Sequence, residues 1–465
     1  MLVTNFVTFL GANAMMGNND QENNSEESGE LNLFEDMEEP GDFGVLDEVS
    51  NIIESQYIEE VDQEEMIEGA LDGMLETLDD PQTGYMSPQE YQDLLVQTEG
   101  SYGGIGIEVF QDEDYVTIVA PISGTPGEEK GLRSGDRIVT VEGDDVVGKD
   151  IDEVVEVMRG EPGTSVEIEI ERPGLDEKLD FEITRENIEL DSVEYEMLDN
   201  NISHVELTNF DQTTGEEFRD ALSDLKDEDM EGMILDLRDN PGGLLDAAIE
   251  VAEEIVPAGP IVHVEGRDGT LDTYESEGDG ADYPMVVLVN ENSASASEIL
   301  AGALQDTDTA IVAGSETFGK ASVQNVEPLN AGGGLRYTMA KYQTPEGRDI
   351  HEVGLTPDVE LDAPAVLQLA REPISADLGP GDDGEEVETL QQILQEFGFY
   401  EQDITGDFDD NTGDALEEFQ EEREISVTGE MDDMVIREFH EMIEEYQEED
   451  DEELDRALEL IMDEM

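Results

Sequence analysis

Three short stretches of this 465-residue chain bring together residue types that can attack a carbonyl. In the first, an apolar run at 286–290 ends in Glu291-Asn292-Ser293-Ala294-Ser295-Ala296-Ser297-Glu298 and passes into a helical pattern. A serine hydroxyl at a helix start lies beside unpaired backbone N–H groups that can stabilise an oxyanion. A Ser/Ala run there can equally be a plain N-cap. The second stretch, 314–324, holds Lys320, one of six lysines in the chain, among small and apolar residues. Burial lowers a lysine's pKa, and the neutral amine can then take a proton from a hydroxyl. Gln324, four residues on, is placed to orient that amine. The third stretch is Leu237-Arg238-Asp239-Asn240-Pro241-Gly242-Gly243, a strand ending in a turn. Its glycines expose N–H groups, so Gly242 or Gly243 can complete an oxyanion hole with the N–H of Ala296.

The elements that must hold these groups show in the apolar pattern. Between 43 and 95 apolar residues recur at helical spacing, with an Asp80-Pro81 turn before a helix begun by Ser87 and Pro88. From 100 to about 173 the pattern becomes short strands with glycine turns, interrupted by one helix near 151–158. From about 181 to 370 strands alternate with helices, an α/β signature. The expected units are a signal or signal-anchor remnant (1–16), an acidic linker (17–41), a helical segment (42–95), a β-rich domain (96–175) and an α/β core (181–372). A small helical unit (377–446) and an acidic helical tail (447–465) come after them. The first unit rests on an apolar run at 2–10 and the small-x-small Ala12-Asn13-Ala14, which favour export. That run is too short for a membrane span of about 20 residues.

Composition narrows the function classes. The chain has 125 acidic and 20 basic residues, a net charge of -105 spread over every segment. Such self-repulsion suits a high-salt environment, and the absence of a basic face excludes a nucleic-acid partner. There is no cysteine, hence no disulfide or thiolate chemistry.

Within the β-rich segment, Tyr102-Gly103-Gly104-Ile105-Gly106-Ile107 is a glycine-rich turn feeding an apolar strand. Glycines at 104 and 106 leave N–H groups that can hold a carboxylate while the next strand pairs with an extended peptide. With Gly131-Leu132-Arg133-Ser134-Gly135-Asp136-Arg137-Ile138 downstream, the segment resembles a PDZ domain, which implies capture of protein C-terminal tails. Arg159 is a candidate for facing the tail, and equally a plain surface cation.

From about 43 through 361 the chain resembles the bacterial carboxyl-terminal processing (tail-specific) peptidases. The matching pieces are the 70–75 helix with its Asp80-Pro81 turn, the PDZ segment, the 237–243 turn, the Ser293–Glu298 run, Thr317-Phe318-Gly319-Lys320 and 342–348. The resemblance implies a crotonase-like βα core with the PDZ domain inserted, and a Ser–Lys endopeptidase needing no cofactor or metal. It implies Ser295 as nucleophile, Lys320 as general base, Gln324 as its support, and Gly242 or Gly243 with Ala296 at the oxyanion hole. The chain departs from the family at Ala321, where glycine is usual, and at Gln82-Thr83, which reads as lying outside the chemistry.

A Ser–His–Asp site would draw on His204, His263, His351 or His440, none of them in a run of small residues. A metallopeptidase lacks its His-Glu-x-x-His. The alternative of a different class is an inactive PDZ scaffold that only binds tails, against which the intact Ser295, Lys320 and Gln324 stand. The C-terminal helical unit resembles a peptidoglycan-binding domain, with Gly406-Asp407-Phe408 echoed by Thr428-Gly429-Glu430-Met431. That implies peptidoglycan as a partner and a place at the cell envelope. Asp407, Asp409, Asn411 and Glu418 fall at calcium-loop spacing, but Thr412 stands where that loop needs glycine. A homodimer through the N-terminal helices is left open.

Overall fold

The structure, a computed structural model, describes residues 44–465 apart from 113, 176, 177, 270, 362–377, 424 and 450. The expected signal segment and acidic linker lie outside the described residues.

Six strands form the core sheet, in the order Val193–Met197, Ile202–Leu207, Gly232–Asp236, Met285–Val289, Ile311–Gly314, Val359–Glu360. The first pairing is antiparallel and the other four are parallel. Parallel strands laid down in chain order wind the sheet one way. Right-handed crossovers then put the helices Thr214–Asp227, Leu245–Ile255 and Ala296–Asp306 on one face. Met233, Leu235, Val287 and Val289 meet those helices, while the alternate residues Ile234, Val286 and Leu288 point to the opposite face. An apolar face left to water would be unstable. The helix Glu452–Glu464 closes it, with Ala457 and Ile461 fully buried. The expected acidic tail is thus helical and part of the core.

A second, antiparallel sheet runs Gly84–Met86, Gly334–Gln343, Pro257–Gly266, Leu271–Asp279, and Ser322–Pro328 also pairs with Gly334–Gln343. It carries Lys320 two residues before a strand. The PDZ-like unit is a five-strand antiparallel path, Ile107–Asp112, Tyr115–Pro121, Arg137–Val141, Ser165–Glu171, Leu179–Thr184, with the helices Pro126–Lys130 and Ile151–Met158. Its core holds Val116, Ile118, Ile138, Val154 and Ile168. Ser101–Gly104 pairs with Glu186–Glu189, so the chain enters and leaves this unit at one point, as an inserted domain should.

Three helices, Glu385–Glu396, Asp410–Glu422 and Asp433–Glu449, pack around Leu390, Leu416, Phe419 and Phe439. The sequence echo here is physical. Gln391 Oε1 accepts from the N–H groups of Thr405 and Gly406, and Gln420 Oε1 accepts from those of Thr428 and Gly429. At the other end, helix Gly44–Gln56 buries nothing and exposes Val45, Leu46, Val49 and Ile52. No helix among the described residues is long and apolar enough to cross a membrane.

Candidate active site

The three stretches converge at the carboxyl ends of adjacent parallel strands, where open α/β sheets place their sites. Ser295 ends the turn after Met285–Val289 and precedes helix Ala296–Asp306. Its backbone sits at φ 52° and ψ -103°, a conformation L-residues avoid at a cost of about 1–3 kcal/mol. The surrounding bonds hold it there. Ser293 Oγ donates to Leu237 O (2.8 Å), and the Ser295 N–H donates to Glu298 Oε2 (2.8 Å).

Lys320 is 3% exposed. Burial, joined by the nearby Arg336 cation and opposed by Glu298, pushes its amine down to about 8. Lys320 Nζ makes no hydrogen bond among the described residues, and catalytic hydrogen bonds often tighten only when substrate binds. Two side chains tie its backbone to that of Ser295. The fully buried Glu298 carboxylate accepts from the N–H groups of Ser295, Gly319 and Lys320 and from Thr317 Oγ1. Burial raises its pKa, while those bonds act in the opposite direction. On the other side, Tyr342 Oη donates to Ser295 O (3.0 Å) and Lys320 O (2.9 Å).

The 237–243 turn is bonded to the same helix start. Asn240 O accepts from the Ala294 N–H (3.1 Å) and Ser297 Oγ (2.9 Å). Gly242 N–H donates to Asn240 Oδ1 (2.8 Å) and is spent inside the turn. The N–H groups of Gly243 and Ala296 have no acceptor among the described residues, and both residues border the pocket that contains Ser295. A Cβ on Gly243 would stand 2.0 Å from Phe210 O, so only glycine fits. That pocket is narrow, with about 10 Å³ of free volume, and its walls include Leu245, Ile299, Val323 and Tyr342. Gln324 lines it too. Its Nε2 donates to Ser322 Oγ (2.8 Å) and its buried Oε1 has no partner, so it is not bonded to Lys320 here.

The chain is 33% identical over 389 residues to the carboxy-terminal processing protease CtpA of Bacillus subtilis, covering 83% of each protein. It belongs to peptidase family S41. The model for that family matches residues 201–361, with a PDZ domain at 117–172, the N-terminal domain of the activating protease CtpB at 1–90 and a peptidoglycan-binding domain at 383–437. The Bartonella bacilliformis carboxy-terminal-processing protease is 39% identical over 319 residues, 67% of this chain and 73% of that one. Among solved structures, the photosystem II D1 C-terminal processing protease is 34% identical and covers 69% of this chain and 87% of its own, at a TM-score of 0.41.

Several residues of this S41 peptidase sit otherwise than the sequence suggested. The Gln82-Thr83 turn reaches toward the chemistry after all. Gln82 O accepts from Arg336 Nε (3.0 Å) and Thr83 Oγ1 from the Thr338 N–H, which fixes the cation that depresses Lys320. Ala321 carries no strain, because the left-handed residue is Gly319, on the other side of the lysine. Among the described residues, no histidine side chain lines the Ser295 pocket. His204 pairs with Asp236 (3.2 Å), and His263 bonds Thr273 Oγ1 and Pro345 O. In the PDZ domain Gly106 is left-handed, at φ 69°, and its carbonyl accepts from Thr125 Oγ1. Gly104 pairs with Glu186, and Ile105 lies in the domain core. Ile107 begins the strand whose partner is Tyr115–Pro121. Arg159 lies over the ring of Tyr102, at the start of that turn, and pairs with Asp93 (2.8 Å). It thereby borders a cavity of about 580 Å³ between helices Pro88–Glu99 and Ile151–Met158. Asp409 caps its own helix through the N–H groups of Asn411 and Thr412, which accounts for the calcium-like spacing.

Glu298 and Tyr342 were not singled out from the sequence. The Ser-x-x-Glu spacing of a capping box was the available signal for the first. The second heads the 342–348 piece of the family resemblance, which carries no role for it.

Proposed function

We propose that this S41 peptidase is an endopeptidase in which Ser295 attacks the peptide carbonyl and Lys320, as the neutral amine, takes the hydroxyl proton. The observation that carries the reading is the buried lysine at about pKa 8, locked by Glu298 and Tyr342 to the backbone of a strained serine. The N–H groups of Gly243 and Ala296 receive the oxyanion, and Gln324 Oε1 accepts from the lysine ammonium once it is protonated. The narrow apolar pocket takes a small side chain next to the scissile bond. Because the base must be neutral, kcat/KM should rise with pH through about 8. Arg336→Gln should move that midpoint upward, since Arg336 is one of the causes that depress it. A pH–rate profile for both proteins checks this, and an unshifted midpoint in the variant would assign the depression to burial alone.

The PDZ domain captures the substrate's C-terminal tail at Gly104, Ile105, Gly106 and Ile107, and Arg159 leaves Asp93 to face the tail. The 379–446 unit holds peptidoglycan and so sets the peptidase at the cell envelope. The bare apolar face of Gly44–Gln56 supports a homodimer, and the net charge of -105 supports a high-salt habitat. Amidating a substrate's C-terminus should raise KM several-fold with little change in kcat, read by mass spectrometry of the products. Equal turnover of amidated and free-acid peptides would remove the PDZ domain from the mechanism.

A further inference from the structure

Arg238 stands just before the oxyanion turn, and its guanidinium is bracketed by three carboxylates. Asp236 on its own strand lies 2.5 Å from Nη2, and Asp451 lies at 2.6 Å from Nη2 and 3.0 Å from Nη1. Glu453 lies 3.1 Å from Nη1. The last two open the helix Glu452–Glu464, more than two hundred residues further along the chain. The arginine side chain is 14% exposed and that of Glu453 is 6% exposed, so water screens these pairs little. Bidentate pairing to Asp451 also fixes the plane of the guanidinium.

Three residues soon after Arg238 are bonded to the turn that carries Ser295 or border its pocket. The Asp239 N–H donates to Asn290 Oδ1 (3.0 Å), Asn240 O receives Ala294 and Ser297, and Gly243 presents its N–H beside Ser295. We propose that Asp451 and Glu453 are positioning residues for catalysis: through Arg238 they set the turn that presents the Gly243 N–H and braces Ser295. The inference rests on the peptidase reading above. It also makes the peptidoglycan-binding unit an insertion tied to the peptidase at both ends, since the chain leaves the core at Val359–Glu360 and returns at Asp451.

The test uses the full chain carrying Asp451→Asn and Glu453→Gln, in molar salt. Ala457 and Ile461 still seat the helix, so the thermal midpoint should move by a few degrees only. The expected result is a kcat loss on the order of tenfold or more, the scale of a misplaced oxyanion donor, with KM within about twofold. A peptide boronate, which resembles the tetrahedral intermediate, should bind more weakly in the same proportion. Asp451→Glu in an otherwise native chain should keep most of the rate. The contrast is Ile461→Ala, which should lower the thermal midpoint and leave kcat intact below it. If the double variant does not fold, Asp451→Asn alone is measured in the same way. Unchanged kcat and boronate affinity in the variant would overturn the inference and leave the cluster a structural brace. A wild type that cleaves no tail peptide would overturn the peptidase reading itself, and the positioning role with it.

Discussion

Ser295→Ala will lower peptide cleavage by on the order of 10⁴-fold or more, and Lys320→Ala will cost about as much. The two act as one unit, so the double variant should be scarcely worse than either single one. Both proteins should stay folded. The ties that hold the pair run through main-chain atoms, from Ser295 and Lys320 N–H to Glu298 and from Tyr342 to their carbonyls, and side-chain truncation leaves them in place. Lys320→Arg should not rescue, because a guanidinium keeps its proton at any working pH. Product analysis of a free-acid peptide, with circular dichroism as the folding control, measures all four proteins. An active Lys320→Ala variant alongside an inactive His263 or His351 variant would end the Ser–Lys reading.

Dilution from molar salt to about 0.01 M will unfold the protein and abolish activity together. The chain carries 125 acidic against 20 basic residues. At low salt the Debye length grows to about 30 Å, and those carboxylates then repel one another across whole domains. Buried pairs such as Arg238–Asp451 feel salt least, so the loss should follow the surface charge rather than the core. Different monovalent salts should restore fold and rate in step, and chelators should do nothing. A salt titration followed by circular dichroism and peptidase rate decides the matter. A protein fully folded and active in dilute buffer would leave the acidic excess with no bearing on stability.

The sequence made the candidate site legible where it is local. Ser295, Lys320 and the glycines of the 237–243 turn stand in short runs of small residues, and each run lies at the end of an apolar strand. The alternation of strands and helices gave the parallel core, and the glycine turns gave the PDZ domain. What escaped was carried by distance in the chain. Tyr342 reaches Ser295 across 47 residues, and no local pattern encodes that contact. Arg336 tunes Lys320 from a neighbouring strand and is itself held by a turn near residue 82. The segment after 451 reads as acid-rich because acids dominate it. Yet Leu454, Ala457, Leu458 and Ile461 recur at helical spacing, and that stripe was the signal for a buried face. Gln391 and Gln420 show the reverse case, a faint echo in sequence that is a repeated backbone latch in space.

The closure of the core sheet by helix Glu452–Glu464 sets a timetable for biosynthesis. Arg238 must wait for a partner 213 residues later in the chain, and contacts of such separation form slowly. A chain emerging from the ribosome or an export channel has already displayed Ser295, Lys320 and the PDZ domain by then. Its sheet still shows water the bare face of Ile202, Ile234, Val286, Leu288 and Ala313. Such a half-made molecule is prone to aggregate, and it invites a holding chaperone until the helix arrives. On the proposed role of Arg238, the turn before Ser295 is not yet braced in such a chain. On the positioning role proposed for Asp451 and Glu453, proteolytic competence would date from the docking of that helix.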